Sequence, residues 1–303
     1  MSHLLFFLLL GQDQLTFHTD LSLVHVDVQV SQDRQPVENL GKESFRVTDG
    51  GRPQNIVYFS HQQQPLDVVL FFDVSAETRP AIERGAEVAH TALSDLGPAD
   101  RLAVMASGRT QDHCRPRLIS DFMGDFERAG RDIAIQVIPP ELRAQIRACQ
   151  VLSGIAGVAQ YFLQKPNGNR RRAVLVITDD QGAGTAAALV RNTVRDLWKA
   201  DAVVLGVLVH SGNSVLAIGP PHRGARYAAD QTGGDTLTTG DAVDGVREMI
   251  HRLRLRYSIY YALPQGRPGE ERKIGVKLTP AASKQYPRAT IRARTAYVVP
   301  GNP

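Results

Sequence analysis

The chain has 303 residues, 43% hydrophobic and 22% charged, which is enough apolar content for a sizeable core and too much for a disordered or fibrous protein. Its formal charge of +4 is the balance of 35 cations against 31 anions. So small an excess over a large surface is weak evidence for nucleic-acid binding, and no nucleic-acid partner is expected. Only Lys42, Lys165, Lys199, Lys273, Lys277 and Lys284 are lysines, so the cations are overwhelmingly arginine, a bias that reads as coding preference.

The two cysteines, Cys114 and Cys149, are too few for a four-ligand zinc site, and neither lies in a C-x-x-C. The apolar run Leu4 to Leu10 falls short of the roughly 20 residues that span a bilayer, so no integral membrane segment is expected. It also lacks a positive n-region and a small-residue cleavage site. A degenerate export leader over 1–15, a misplaced start and a buried strand all stay open. Export would make the protein secreted or envelope-associated and favour a Cys114–Cys149 disulfide; without it the location is cytoplasmic.

From Leu21 the apolar positions alternate through Val24, Val26, Val28 and Val30, predicting a half-buried strand. A turn over 32–36, a strand near Phe45–Thr48, the hairpin signal Asp49-Gly50-Gly51 and a returning strand over 54–60 follow. This N-terminal β segment, 16–62, is too small to stand alone. After the linker His61-Gln62-Gln63-Gln64-Pro65 comes Leu66 to Phe72, a continuous apolar strand ending at Asp73. A helix over about 79–96, strands over 101–106 and 117–120, and a helix over 141–163 lead to a second apolar strand, 173–178, which ends at Asp179-Asp180. A helix over 186–199, a strand over 202–209 and a helix over 242–252 complete the pattern. Strand alternating with helix predicts a doubly wound, mostly parallel α/β unit over 66–250. Strands over 257–263, 272–278 and 289–298 return in the C-terminal β segment, 253–303. Two marginal ends bury more surface together, so they are expected to form one antiparallel β-sandwich with the α/β unit inserted between them. Arg170–Arg172 and Arg252, Arg254 and Arg256, at strand entries, read as solvated edges. Tyr257, Tyr260 and Tyr261 read as sandwich core and rim.

Ligands of open α/β sheets bind beyond the carboxyl ends of the strands. There the two most apolar strands place Asp73, Ser75 and Glu77, and Asp179 with Asp180. Oxygen donors gathered at one edge suit a hard cation such as Mg²⁺; helix capping is the other common use of such aspartates. The loop Gly182 to Thr185 invites a phosphate cradle at a helix N-terminus, although neither the dinucleotide nor the P-loop signature is met. No G-x-S-x-G or H-E-x-x-H occurs, and no catalytic residues are expected.

Strand, D-x-S-x-x, helix, then strand and T-D in one sheet resembles the von Willebrand factor type A (VWA) domain. With the segment 54–75, Thr232-Gly233-Gly234-Asp235 and Leu255 to Tyr261, the order of pieces from about 16 to 298 is similar to a bacterial, acidobacterial-type VWFA-related family. That resemblance implies a Rossmann-like fold, a non-enzymatic protein-binding role and a metal-ion-dependent adhesion site for Mg²⁺ or Mn²⁺. The metal ligands it implies here are Asp73, Ser75 and Asp179. Glu77 stands where the family has serine, the loop 137–143 has no hydroxyl residue, and Asp180 replaces a common glycine, so the site is expected to be degenerate, with Glu77 as a substitute donor. A protein partner is implied and no nucleic acid. The reading from another class is a nucleotide- or phosphate-binding enzyme using the Gly182–Thr185 loop.

Overall fold

The computed structural model describes residues 22–74, 78, 83–84, 93–107, 116–137, 150–180, 186–209 and 224–301. The N-terminal strands are β1 (Leu23–Gln32), β2 (Gln35–Pro36), β3 (Phe45–Asp49), β4 (Arg52–Gln54) and β5 (Ile56–Ser60). The central part holds β6 (Leu66–Asp73), β7 (Arg101–Ser107), β8 (Pro116–Met123), α1 (Phe126–Gln136), α2 (Val151–Leu163), β9 (Arg171–Thr178), α3 (Ala187–Lys199), β10 (Ala202–Val209), α4 (Ala225–Thr232), β11 (Asp235–Thr239) and α5 (Ala242–Arg254). The chain closes with β12 (Tyr257–Ala262), β13 (Glu271–Leu278), α6 (Pro280–Gln285), β14 (Ala289–Ala293) and β15 (Ala296–Val298).

Six central strands form one sheet in the order β11-β10-β9-β6-β7-β8. Every residue of β6, β9 and β10 is buried, as their unbroken apolar runs require. Successive side chains of β6 point to opposite faces: Val68, Leu70 and Phe72 pack with Ile133, Val246 and Ile250, whereas Val69 and Phe71 pack with Ile155, Phe162 and Leu197. Each such buried side chain contributes roughly 1.5–3 kcal/mol. Helices therefore cover both faces. The sheet is mixed, because β8 runs antiparallel to β7 while the other pairings are parallel.

Two antiparallel sheets draw strands from both ends of the chain. In one, β1 lies between β12 and β14, with β5 outside β12 and β2 paired to β1. The other has the order β15-β13-β3-β4. A single apolar cluster takes Val26 and Ile259 from the first and Val47 and Leu278 from the second. Tyr257 and Tyr261 are fully buried in it, and their hydroxyls donate to Val37 O and to Asp49. Tyr260 stacks on His25 instead, with ring centroids 4.6 Å apart.

Several expected elements divide. The strand over 54–60 is two: β4 closes the hairpin on β3, where Gly50 and Gly51 take φ of 56° and 81°, and β5 crosses to β12. Pro53, without an N–H, is tolerated because β4 is a sheet edge. The strand over 289–298 breaks where Arg294 turns to Asp201 and the Thr295 N–H to Gln231 O. Helices α1, α4 and α6 and strand β11 were not expected from the sequence. The helix expected over 79–96 lies largely outside the described residues, as does the first part of the one expected over 141–163, whose remainder is α2.

The arginines expected on solvated edges are instead interior. Arg171 and Arg256 have no exposed side-chain surface or essentially none, and Arg172 is 3% exposed. Arg171 donates to Asp27, Leu253 O, Arg256 O and Ser258 Oγ. Arg256 donates to Gln29 Oε1, Asp27 O and Gly233 O. Arg172 reaches Phe162 O and Lys165 O and lies over the Phe162 ring. At the amino edge of the central sheet these side chains satisfy helix and strand ends and join that sheet to β1 and β12, a demand on buried carbonyls and carboxylates that strand patterning cannot reveal.

Candidate functional site at the carboxyl edge of the central sheet

β6 and β9 are neighbours, so their last residues meet at the carboxyl edge. Asp73 is 1% exposed. Its Oδ2 accepts from Thr178 Oγ1 at 2.6 Å, and its Oδ1 accepts from Ser107 Oγ at 3.3 Å. Ser107 is placed by register, directly opposite Asp73 on β7. Thr78 Oγ1 donates to the Asp73 carbonyl at 2.7 Å. Burial pushes the Asp73 carboxyl up to about 7; the Thr178 and Ser107 hydroxyls oppose that rise, while the negative charges of Asp179 and Asp180 add to it.

The Thr178 hydroxyl also accepts from the Asp180 N–H at 2.8 Å, which fixes the turn after β9. Asp180 takes a φ of 58°, a left-handed conformation that aspartate tolerates better than most residues. Its Oδ1 accepts from Ala225 N at 2.5 Å, at the start of α4, and Arg226 stands 3.4 Å from Oδ2. Asp180 is therefore committed to capping α4.

Asp73 and Asp179 thus share one edge, near enough for the Asp179 charge to act on Asp73. Ser75, Glu77, the loop Gly182 to Thr185, Cys114 and Cys149 lie outside the described residues. Among the described residues no group of three or more His, Cys, Asp or Glu side chains could hold a metal ion. The donors present are hydroxyl and carboxylate oxygens, the chemistry Mg²⁺ prefers, and a buried carboxyl with no cationic partner among the described residues is one that a divalent ion would ionise. Asp73 and Asp179 fit as part of such a site, and Asp180 does not. The sequence reading missed Ser107, whose only signal was its place at the end of a strand. Thr178 figured there only as the residue before Asp179.

No protein-family model matches the sequence, and no curated protein matches it. Similar solved structures include the SpRpn10 VWA domain, with a TM-score of 0.41 and 12% identity over 62% of this chain and 95% of that one. The human COPII-coat protein Sec24c has a TM-score of 0.42 and 9% identity over 80% of this chain and 44% of its own. Proximal thread matrix protein 1 from the mussel byssus has a TM-score of 0.41 and 14% identity over 65% and 47%, so this chain spans less than half of the latter two. No helix among the described residues is long and apolar enough to cross a membrane.

Proposed function

We propose that the chain is a non-enzymatic protein-binding module of the von Willebrand type A kind. In this reading an α/β unit over 66–250 is inserted in a β-sandwich made by 16–62 and 253–303, and the carboxyl edge of the central sheet meets the partner. The observation that carries it is the buried Asp73–Thr178 pair at 2.6 Å, which joins the ends of two adjacent strands where doubly wound sheets receive ligands. Asp73 and Asp179, with Ser75 and Glu77 as further donors, would hold Mg²⁺ or Mn²⁺ weakly, since few protein oxygens remain. A bound divalent ion supplies an open coordination position for an acidic side chain of the partner. Thr178 and Ser107 orient Asp73 through their hydroxyls.

The test is a thermal-shift series on wild type and Asp73→Asn with Mg²⁺, Mn²⁺, EDTA and nucleotides, because a ligand of the folded state raises Tm by mass action. The expected result is a rise with a divalent ion that Asp73→Asn abolishes. No shift with any divalent ion removes the metal from this reading. A nucleotide-dependent rise lost on changing Gly182 would replace it with the phosphate-binding enzyme.

A further inference from the structure

We propose that the outward face of the β15-β13-β3-β4 sheet docks a carboxylate-rich segment of a protein partner. Along β3, Phe45, Val47 and Asp49 are buried and Arg46 and Thr48 point outward. Along β13 the outward set is Glu271, Lys273, Gly275 and Lys277. Pairing places Lys277 directly opposite Arg46, and Gly275 opposite Thr48. The cations of this face, Arg46, Lys273 and Lys277, are all exposed.

Like charges directly opposite one another on a sheet destabilise it, so the Lys277–Arg46 pair works against the fold. Among the described residues nothing neutralises it. Glu271 pairs with Arg195 at 3.5 Å, at the end of the face that α3 packs against. Glu43 lies back against Gly41, on the short turn before β3. Lys42 and Lys284, also exposed, lie on segments beside the same end of the sheet, where the Thr279 N–H bonds to Ser44 O. Four of the six lysines in this arginine-rich chain therefore gather on this sheet and its flanking turns. The scarce lysines thus have a spatial pattern, whatever coding preference makes them few.

The chemistry of the face selects the partner. Among the described residues Thr48, Pro53 and Gly275 lie between the cations, and β15 adds the buried Ala296 and half-buried Val298, so the face offers no aromatic ring for a base to stack on and no large apolar side chain to enter a bilayer. Lys273 and Lys277, four residues apart, stand about 13 Å from one another along the strand. The face is thus polar and positive, and an extended or looped acidic polypeptide complements it in charge. This surface is separate from the carboxyl edge, and its test does not depend on that edge.

The experiment measures fluorescence anisotropy of a labelled Glu-rich peptide with the full chain at low and at physiological salt. Wild type is expected to bind, with affinity falling steeply as salt rises. The triple reversal Arg46→Glu, Lys273→Glu, Lys277→Glu is expected to weaken binding by about tenfold or more with Tm retained. A charge-matched control on exposed helix positions, Arg131→Glu, Arg191→Glu, Lys199→Glu, is expected to stay within about twofold of wild type. Absence of binding at low salt, or equal loss in the control, overturns the proposal. So does tighter binding of duplex DNA or phosphatidylserine vesicles that the triple reversal abolishes.

Discussion

Arg171, the first residue of a central strand, and Asp27, in the middle of β1, meet at 3.0 Å across the junction of the two parts of the molecule. The guanidinium has no exposed surface and also holds Leu253 O, Arg256 O and Ser258 Oγ. The junction is therefore held by buried charge and hydrogen bonds, and its strength depends on keeping every charged partner in place.

Replacing Arg171 by Met is expected to destabilise the protein by about 3–5 kcal/mol, because Asp27 and two carbonyls lose their main donor while staying buried. Urea denaturation of the single variant and of Arg171→Met with Asp27→Leu measures it. The double variant should recover part of the loss, since no unpaired charge is left. A single variant within about 1 kcal/mol of wild type would show that water replaces the guanidinium at no cost.

His25, at the same junction, is expected to contribute to the pH dependence of stability. Its Nδ1 lies 2.7 Å from Asp201 and its Nε2 lies 3.4 Å from Asp27, with Tyr260 stacked on the ring, Arg294 on Asp201 and Arg171 on Asp27. Burial opposes the charged imidazole, but the carboxylates of Asp201 and Asp27 outweigh it and raise His25 to about 10. Below about pH 6.5 the folded and unfolded chains are both protonated at this residue and its contribution is fully present. As pH rises toward 10 the unfolded chain releases the proton first, so stability falls by about 1.4 kcal/mol per pH unit. Asp27 and Asp201 are held below the usual carboxylate range, against the effect of burial, by Arg171 and His25 and by His25 and Arg294 respectively. Their contribution is present above the ordinary carboxylate pKa and is lost as pH falls. Chemical denaturation of His25→Gln across this range should show the alkaline decline flattened and the acid limb retained in weaker form. An unchanged alkaline slope would assign that decline to other groups.

Gly233 ends α4 with a φ of 74°, and a Cβ there would stand 2.3 Å from the Ala293 carbonyl carbon. Gly233→Ala is expected to cost about 3 kcal/mol or more, combining left-handed strain with a collision against backbone that has no rotamer to relieve it. A denaturation curve for the variant decides this. The loss should exceed that of Gly240→Ala, where a Cβ meets nothing within 4 Å.

Asp49 has no exposed surface and accepts from the hydroxyls of Tyr261 and Tyr297, each at 2.9 Å, with Arg272 Nε 2.8 Å from its other oxygen. Either Tyr→Phe change removes one donor from a buried carboxylate and should cost about 1–3 kcal/mol. Both together should cost more than the sum, because the second removes the last hydroxyl. A double-mutant cycle in urea measures the coupling, and strict additivity would show that Arg272 alone suffices.

The sequence by itself determined the central sheet. Leu66 to Phe72, Ala173 to Thr178 and Ala202 to Val209 are runs that only burial on two faces can satisfy, and Asp73 and Asp179 at their ends marked the carboxyl edge. Alternating valines in β1 likewise announced a strand with one apolar face, but its polar face, His25, Asp27 and Gln29, is covered by the junction and not left to water. The tertiary structure alone decided how the pieces meet. β11, with Leu237 as its one apolar residue, is a strand because β10 offers it a ladder, and β5 leaves its hairpin because β12 is beside it. Ser107 joins the site through register, and Arg171 and Arg256 are interior because carbonyls and a carboxylate from segments distant in sequence converge on them. Patterning reports which side chains leave water. It does not report which polar partners wait for them, since those come from residues that only the closed fold brings near.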